Sequence, residues 1–128
     1  MISRRILLLT AATLVASAPV VAREPAGWDK AAFDSAAASG KPILLEIHAS
    51  WCPTCKAQAP ILDELTSQPK FDNLQVFKID FDTQKDLLET LNVRTQSTLI
   101  VYKRGVEVGR SVGDTNRESI AALLSKTI

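Results

Sequence analysis

The sequence predicts an α/β fold in which helices cover both faces of one central mixed sheet. Three observations predict it. Apolar, strand-like runs alternate with stretches of helical spacing. The first of those runs, "KPILLEIHA", is apolar almost without interruption, as a strand covered on both faces must be. The last two runs flank Arg104-Gly105, a tight-turn signal that adds an antiparallel edge. At 128 residues, 46% apolar and 23% charged, the chain has the length and composition of one domain around one core.

Residues 1–22, "MISRRILLLTAATLVASAPVVA", stand apart. Arg4 and Arg5 precede seventeen uncharged residues, Ile6 to Ala22, and the stretch closes on small side chains. A basic start, an apolar middle and a small-residue end describe an export signal cut after Ala22. Pro19 argues against a cut after Ala18, where it would become the first mature residue. Retention as a membrane anchor is the alternative, although seventeen residues interrupted by Pro19 are at the short limit for a spanning helix. The "SRRILL" start is also similar to a twin-arginine signal, which would export a folded protein. The expected division is an export signal over 1–22 and a domain over 23–128. That places the domain in the periplasm or outside the cell after cleavage, and on the membrane if the signal is kept.

Cleavage removes two arginines and no acid, which moves the net charge from +1 to −1. So even a balance gives no support to a nucleic-acid partner or an anionic membrane surface. Export also sets a compartment in which disulfides form and persist.

The elements follow in order. After the short linker "REPAG", Trp28, Ala32, Phe33 and Ala36 recur at helical spacing over 28–38, and Gly40 is a stop signal. Ile43, Leu44, Leu45 and Ile47 make the buried strand. From Cys52 onward, Ala59, Leu62 and Leu65 predict a helix kinked at Pro60. "NLQVFKIDF" reads as the second strand, and "TQKDLLETLNV" as a short helix burying Leu87, Leu88 and Leu91. "STLIVYK" and "VEVGRSVG" are the hairpin strands. Thr115-Asn116-Arg117-Glu118 opens the last helix with a capping-box pattern, and Ile120, Leu123 and Leu124 share one of its faces. The order is α-β-α-β-α-β-β-α, without repeats.

Both cysteines, Cys52 and Cys55, lie at the start of the second helix, where i and i+3 share a face. Placing Cys52 at the first helical position exposes its sulfur to free backbone N–H groups and the positive end of the macrodipole, which favours a thiolate. Pro53 suits the site because its missing N–H has no helical partner there. Cys55, one turn further in and better shielded, reads as the thiol that resolves a mixed disulfide formed by Cys52. Two other readings compete with this redox centre. A passive staple gains little, because so short a loop removes little entropy from the unfolded chain. A metal clip needs more ligands than two sulfurs, and His48 is the third candidate.

Glu46 interrupts the buried strand, where an unpaired charge is expensive. Either burial raises its pKa and it carries a proton, or it pairs with a cation such as Lys78 on the neighbouring strand. In the first case it can act as general base for Cys55 through water.

With these residues in view, the chain resembles the thioredoxin family over nearly all of 23–128. "ILLEIHASWCPTCKAQAPIL" is similar to the family's strand, active-site loop and helix, with Trp51 before Cys52, Lys56 after Cys55 and Pro60 at the helix kink. Glu46 falls where the family has a buried aspartate, and Lys78 where its lysine lies beside that acid. "VRTQSTLIVYKRG" resembles the substrate-binding loop and the next strand, and Gly113 a glycine near the site.

The resemblance implies a thiol–disulfide oxidoreductase with catalytic Cys52, Cys55, Glu46 and Lys78. Trp51, Pro53, Thr54, Gln96, Ser97, Thr98 and Gly113 would meet the client. It implies no cofactor beyond the dithiol, disulfide-bonded or dithiol proteins as clients, a membrane thiol reductase or another thiol protein as electron partner, and a monomer. Trp51 with Glu46 and Lys78 resembles the reducing branch.

Two residues depart from the family pattern. Ser97 stands at the usual cis-proline. A cis bond before a residue other than proline costs ~2.5–4 kcal/mol, so a trans bond is expected there. A serine is also expected to loosen client binding and to leave more room for a metal at the cysteines. His48 replaces an aromatic residue and adds a titratable group.

Overall fold

The structure is a computed structural model describing residues 26–128. The export signal expected over 1–22 lies outside the described residues. Five strands form one mixed sheet in the order β1-β3-β2-β4-β5. The four long ones are β2 (Ile43–His48), β3 (Gln75–Asp80), β4 (Thr98–Lys103) and β5 (Val106–Val112), and β1 is the pair Ala26–Gly27. Strands β1, β3 and β2 run parallel, whereas β4 runs antiparallel to β2 and β5 antiparallel to β4. The helices are α1 (Lys30–Ala38), α2 (Pro53–Thr66), α3 (Lys85–Thr90) and α4 (Arg117–Ser125), with a 3-10 turn at Pro69–Phe71.

Alternation along β2 divides the core. Leu44 points towards α2 and α4, where it meets Leu62, Leu65, Ile120 and Leu124. Ile43, Leu45 and Ile47 point the other way, into a layer with Ala36 of α1 and Leu88 of α3. Both faces are therefore covered, which explains why β2 reads as a nearly continuous apolar run.

Four local expectations change. Part of the "REPAG" linker is strand β1, paired with Phe77 and Lys78; it delivers Trp28 onto Phe33 and Phe77, with ring centroids 5.2 and 6.1 Å away. The first helix begins at Lys30, because the Asp29 side chain caps it by accepting from the Ala32 N–H. The last helix is capped by Asn116, which accepts from the Ser119 N–H, and not through the Thr115–Glu118 box. Of the three leucines expected to be buried in α3, only Leu88 is; Leu87 and Leu91 are partly buried at its rim. Helix α2 runs through Pro60 as one element.

Candidate active site

Strand β2 and helix α2 meet at the Ala49–Cys52 turn, and the dithiol lies there. Helix α2 starts at Pro53, so Cys52 is its N-cap and not its first residue. The Cys52 sulfur accepts the Cys55 N–H at 3.1 Å, satisfying a helix-start donor that has no intrahelical partner. A sulfur in this position is a cap in the sense that Ser or Asp is, with a charge to gain.

Both thiols are free and buried. Cys52 has 0% of its surface exposed and Cys55 6%, so the expected contrast between an open Cys52 and a shielded Cys55 is absent. Ala49, Phe81 and the loop before β4 close over them.

That loop holds the main departure from expectation. Ser97 adopts φ +63°, in the left-handed region that serine rarely visits, and its peptide bond is trans. It is 2% exposed. Its N–H donates to the Ile47 carbonyl (2.8 Å), and its own carbonyl accepts from the Gly113 N–H (3.0 Å) and from Gln58 Nε2 (3.3 Å). Its hydroxyl oxygen is 3.0 Å from the Cys52 sulfur and 3.1 Å from the Cys55 sulfur. The serine therefore does not leave added room at the cysteines. It fills that space.

Burial by itself raises the Cys52 pKa. Hydrogen bonds from the Cys55 thiol, the Ser97 hydroxyl and the backbone N–H groups of Cys55 and Thr54 outweigh it, and hold Cys52 below the ordinary thiol value. Every group that lowers it is a donor to the charged form.

Glu46 and Lys78 are register partners on β2 and β3, on the face that carries α2. Burial raises the Glu46 pKa; Lys78 opposes the rise and Asp63 of α2 adds to it. Burial therefore outweighs the Lys78 charge in setting the Glu46 pKa. His48 is held below its usual pKa by burial and by Lys78, against Asp80. It lines a cleft of about 460 Å³ with Trp28, Lys78, Asp80 and Gln84, and neither cysteine lines that cleft. Among the described residues no group of three or more His, Cys, Asp or Glu gathers to hold a metal, so His48 does not join the thiols as a third ligand.

The remaining expected residues divide by exposure. Trp51 is 54% exposed, with its indole N–H donating to Asp82 Oδ2 at 2.8 Å. Pro53 is exposed, and Thr54 and Gln96 are half-buried. Thr98 is buried and donates to the Thr95 carbonyl. Gly113, at φ +67°, ties the end of β5 to Ser97. Sequence reasoning missed Gln58. It is buried on the same helix face as Cys55, Leu62 and Leu65, and donates to the Ser97 and Asp114 carbonyls. A glutamine at core spacing was the available signal.

The model of the family described as thioredoxin matches residues 25–126. The chain belongs to the thioredoxin family. Its Cys52/Cys55 pair is a thioredoxin-type dithiol, and its relatives in that family are thiol–disulfide oxidoreductases. The chain is similar to a thioredoxin of Mycobacterium tuberculosis, 36% identical over 70% of this chain and 77% of the relative. It also matches 22% of the length of a bifunctional thioredoxin reductase/thioredoxin of Mycobacterium leprae, at 32% identity over 78% of this chain. Among solved structures, Trxlp from Edwardsiella tarda superposes with a TM-score of 0.76 at 44% identity, covering 79% of this chain and 98% of that one.

Proposed function

We propose that this thioredoxin-family protein is an exported reductase of protein disulfides. The observation that carries the reading is the Cys52 sulfur at the N-cap of α2, accepting hydrogen bonds that favour its thiolate. Cys52 attacks a client disulfide, forming a bond to one client sulfur and expelling the other as a thiolate that takes up a proton. Cys55 then attacks Cys52, closes the Cys52–Cys55 disulfide and releases the second client sulfur. Two electrons and two protons pass to the client. A membrane thiol reductase or another thiol protein returns two electrons to the dithiol.

Glu46, with its raised pKa beneath α2, takes the proton that Cys55 must lose, through water, and Lys78 tunes that acid. Trp51, Pro53, Thr54 and Gln96 offer the accessible rim of a client surface, with Ser97, Thr98 and Gly113 behind it. The backbone groups of Ser97 are already bonded within the protein, so client pairing falls chiefly to Gln96. Export rests on the signal pattern of 1–22, and the reducing direction on the Trp51, Glu46 and Lys78 surroundings.

The test is turnover of a disulfide-bonded client by the reduced protein, with Cys55→Ser to arrest the reaction after capture. Reduction by the wild type and a Cys52-linked mixed disulfide in the variant are expected. A wild type that reduces nothing, together with a variant that traps nothing, removes the reading.

A further inference from the structure

The hydroxyl between the two sulfurs has a consequence for where charge and proton reside. A serine hydroxyl has one proton to donate and lone pairs to accept with. Its contacts to Cys52 at 3.0 Å and Cys55 at 3.1 Å cannot both be donated bonds; once one sulfur is a thiolate, which has no proton to give, the hydroxyl donates to it and keeps lone pairs to accept from the other. The surroundings fix which. Cys52 also receives the Cys55 N–H at 3.1 Å and caps the positive end of α2, whereas Cys55 lies inside the first turn. Negative charge therefore collects on Cys52.

We propose, on the dithiol reading above, that Ser97 is a catalytic residue whose hydroxyl donates to the Cys52 thiolate and shares with that sulfur the S–H that Cys55 donates. The proton is thus held on the resolving sulfur and the charge on the attacking one. No oxidant, reductant or bond exchange is needed for this arrangement; it fixes the reduced state from which attack begins. Lys78 on β3 and Asp63 on α2 are the charges that act on Glu46, while the groups lowering Cys52 are all hydrogen-bond donors.

The backbone supports the assignment. Left-handed geometry at a residue other than glycine is unfavourable, and Ser97 adopts it at φ +63° in a buried position. The conformation is held by three bonds from distant segments, to Ile47, Gly113 and Gln58, and its effect is to aim the hydroxyl at the sulfurs. A charge-assisted hydrogen bond of this kind corresponds to about a tenfold change in an ionisation constant.

The experiment titrates thiolate absorbance in the reduced wild-type protein, in Ser97→Ala and in Ser97→Gly. Both variants lack the hydroxyl, but only glycine relieves the left-handed strain. The expected result is an ionisation constant for Cys52 lower by about tenfold in both variants, with the glycine variant folding at least as well as alanine. Loss of a bond to the reduced thiolate also makes the couple more reducing, by up to about 30 mV for that tenfold.

Should Ser97→Ala fail to fold, Ser97→Gly carries the test alone. An unchanged titration in the glycine variant, with or without a shift in alanine, overturns the role of Ser97 while leaving an active wild type as it was. A wild type that neither reduces a client nor titrates below an ordinary thiol takes down both this proposal and the function it rests on.

Discussion

Strand β4 begins and ends next to a left-handed residue, and the two are opposite in character. Arg104, at φ +51°, is followed by Gly105 at +77°, and the pair makes the two-residue turn to β5. Positive φ at both central positions is what such a turn requires if the strands are to keep their right-handed twist. Arg104 is exposed, and the geometry is dictated by its neighbours in sequence. Ser97, at φ +63°, is buried and is dictated by residues far away in sequence. Asn92, at φ +55°, belongs with Arg104: it follows the last turn of α3, where asparagine is a common left-handed stop. Strain at the hairpin is thus a by-product of chain reversal. At the other end of the same strand it positions a hydroxyl against two sulfurs.

The strongest way to break this comparison is to remove what holds the site end. Gln58 donates to the Ser97 carbonyl at 3.3 Å and to the Asp114 carbonyl at 2.8 Å from a buried position. Gln58→Ala takes the Gln58 donor from the Asp114 carbonyl, leaves the Ser97 carbonyl with the Gly113 N–H alone and opens a void, an expected loss of roughly 2–4 kcal/mol in urea unfolding. Because the Ser97 loop loses a tether, the Cys52 thiol should also titrate higher in this variant. A variant as stable as wild type, with an unmoved Cys52, would show that the loop is held without Gln58.

Glu46 gives a second measure of the site end, with a sign set by burial. Its folded-state pKa is raised above the ordinary 4.5, so the folded protein holds that proton more tightly than the unfolded chain. The stability this provides is complete below the ordinary value and is lost as pH rises through the raised one. Glu46→Gln cannot ionise. Its urea midpoint relative to wild type is therefore expected to increase as pH rises above the ordinary carboxyl value of 4.5. A difference that stays flat, or shrinks, means that Lys78 neutralises the carboxylate and that burial does not dominate.

The contrast also explains what was legible in the sequence. Features set by neighbours along the chain were readable: the Arg104-Gly105 turn, the Gly40 stop, the apolar run of β2 and the dithiol at a helix start. Features set across the fold were not. Part of "REPAG" becomes a strand only because β3 offers an edge to pair with. The equal burial of Cys52 and Cys55 depends on a loop more than forty residues away, so a helical wheel could not supply it. Ser97 was visible as a departure from the family pattern, but its hydroxyl's two sulfur contacts follow from a backbone conformation that sequence rules treat as improbable. Glu46 was legible because a charge in an apolar strand has few physical outcomes.

The smallest expected effect sharpens the comparison from the hairpin end. Arginine has no side-chain feature suited to φ +51°, whereas asparagine before glycine is the favoured pair for a turn of this kind. Arg104→Asn should therefore stabilise the protein by about 0.5 kcal/mol, or roughly 2–4 °C in Tm for a domain of this size. Since Arg104 is exposed at the far end of β4, client reduction and the Cys52 titration should match wild type. The informative quantity is the contrast with Ser97→Gly, which relieves the same kind of strain but strips a donor from the thiolate. Relief at the hairpin that alters only Tm, beside relief at the site that alters the thiol, separates strain left by folding from strain that serves chemistry. If Arg104→Asn shifted the thiol as well, the two ends of β4 would be coupled through the strand, and the left-handed serine would have to be explained by the hairpin and not by the sulfurs it touches.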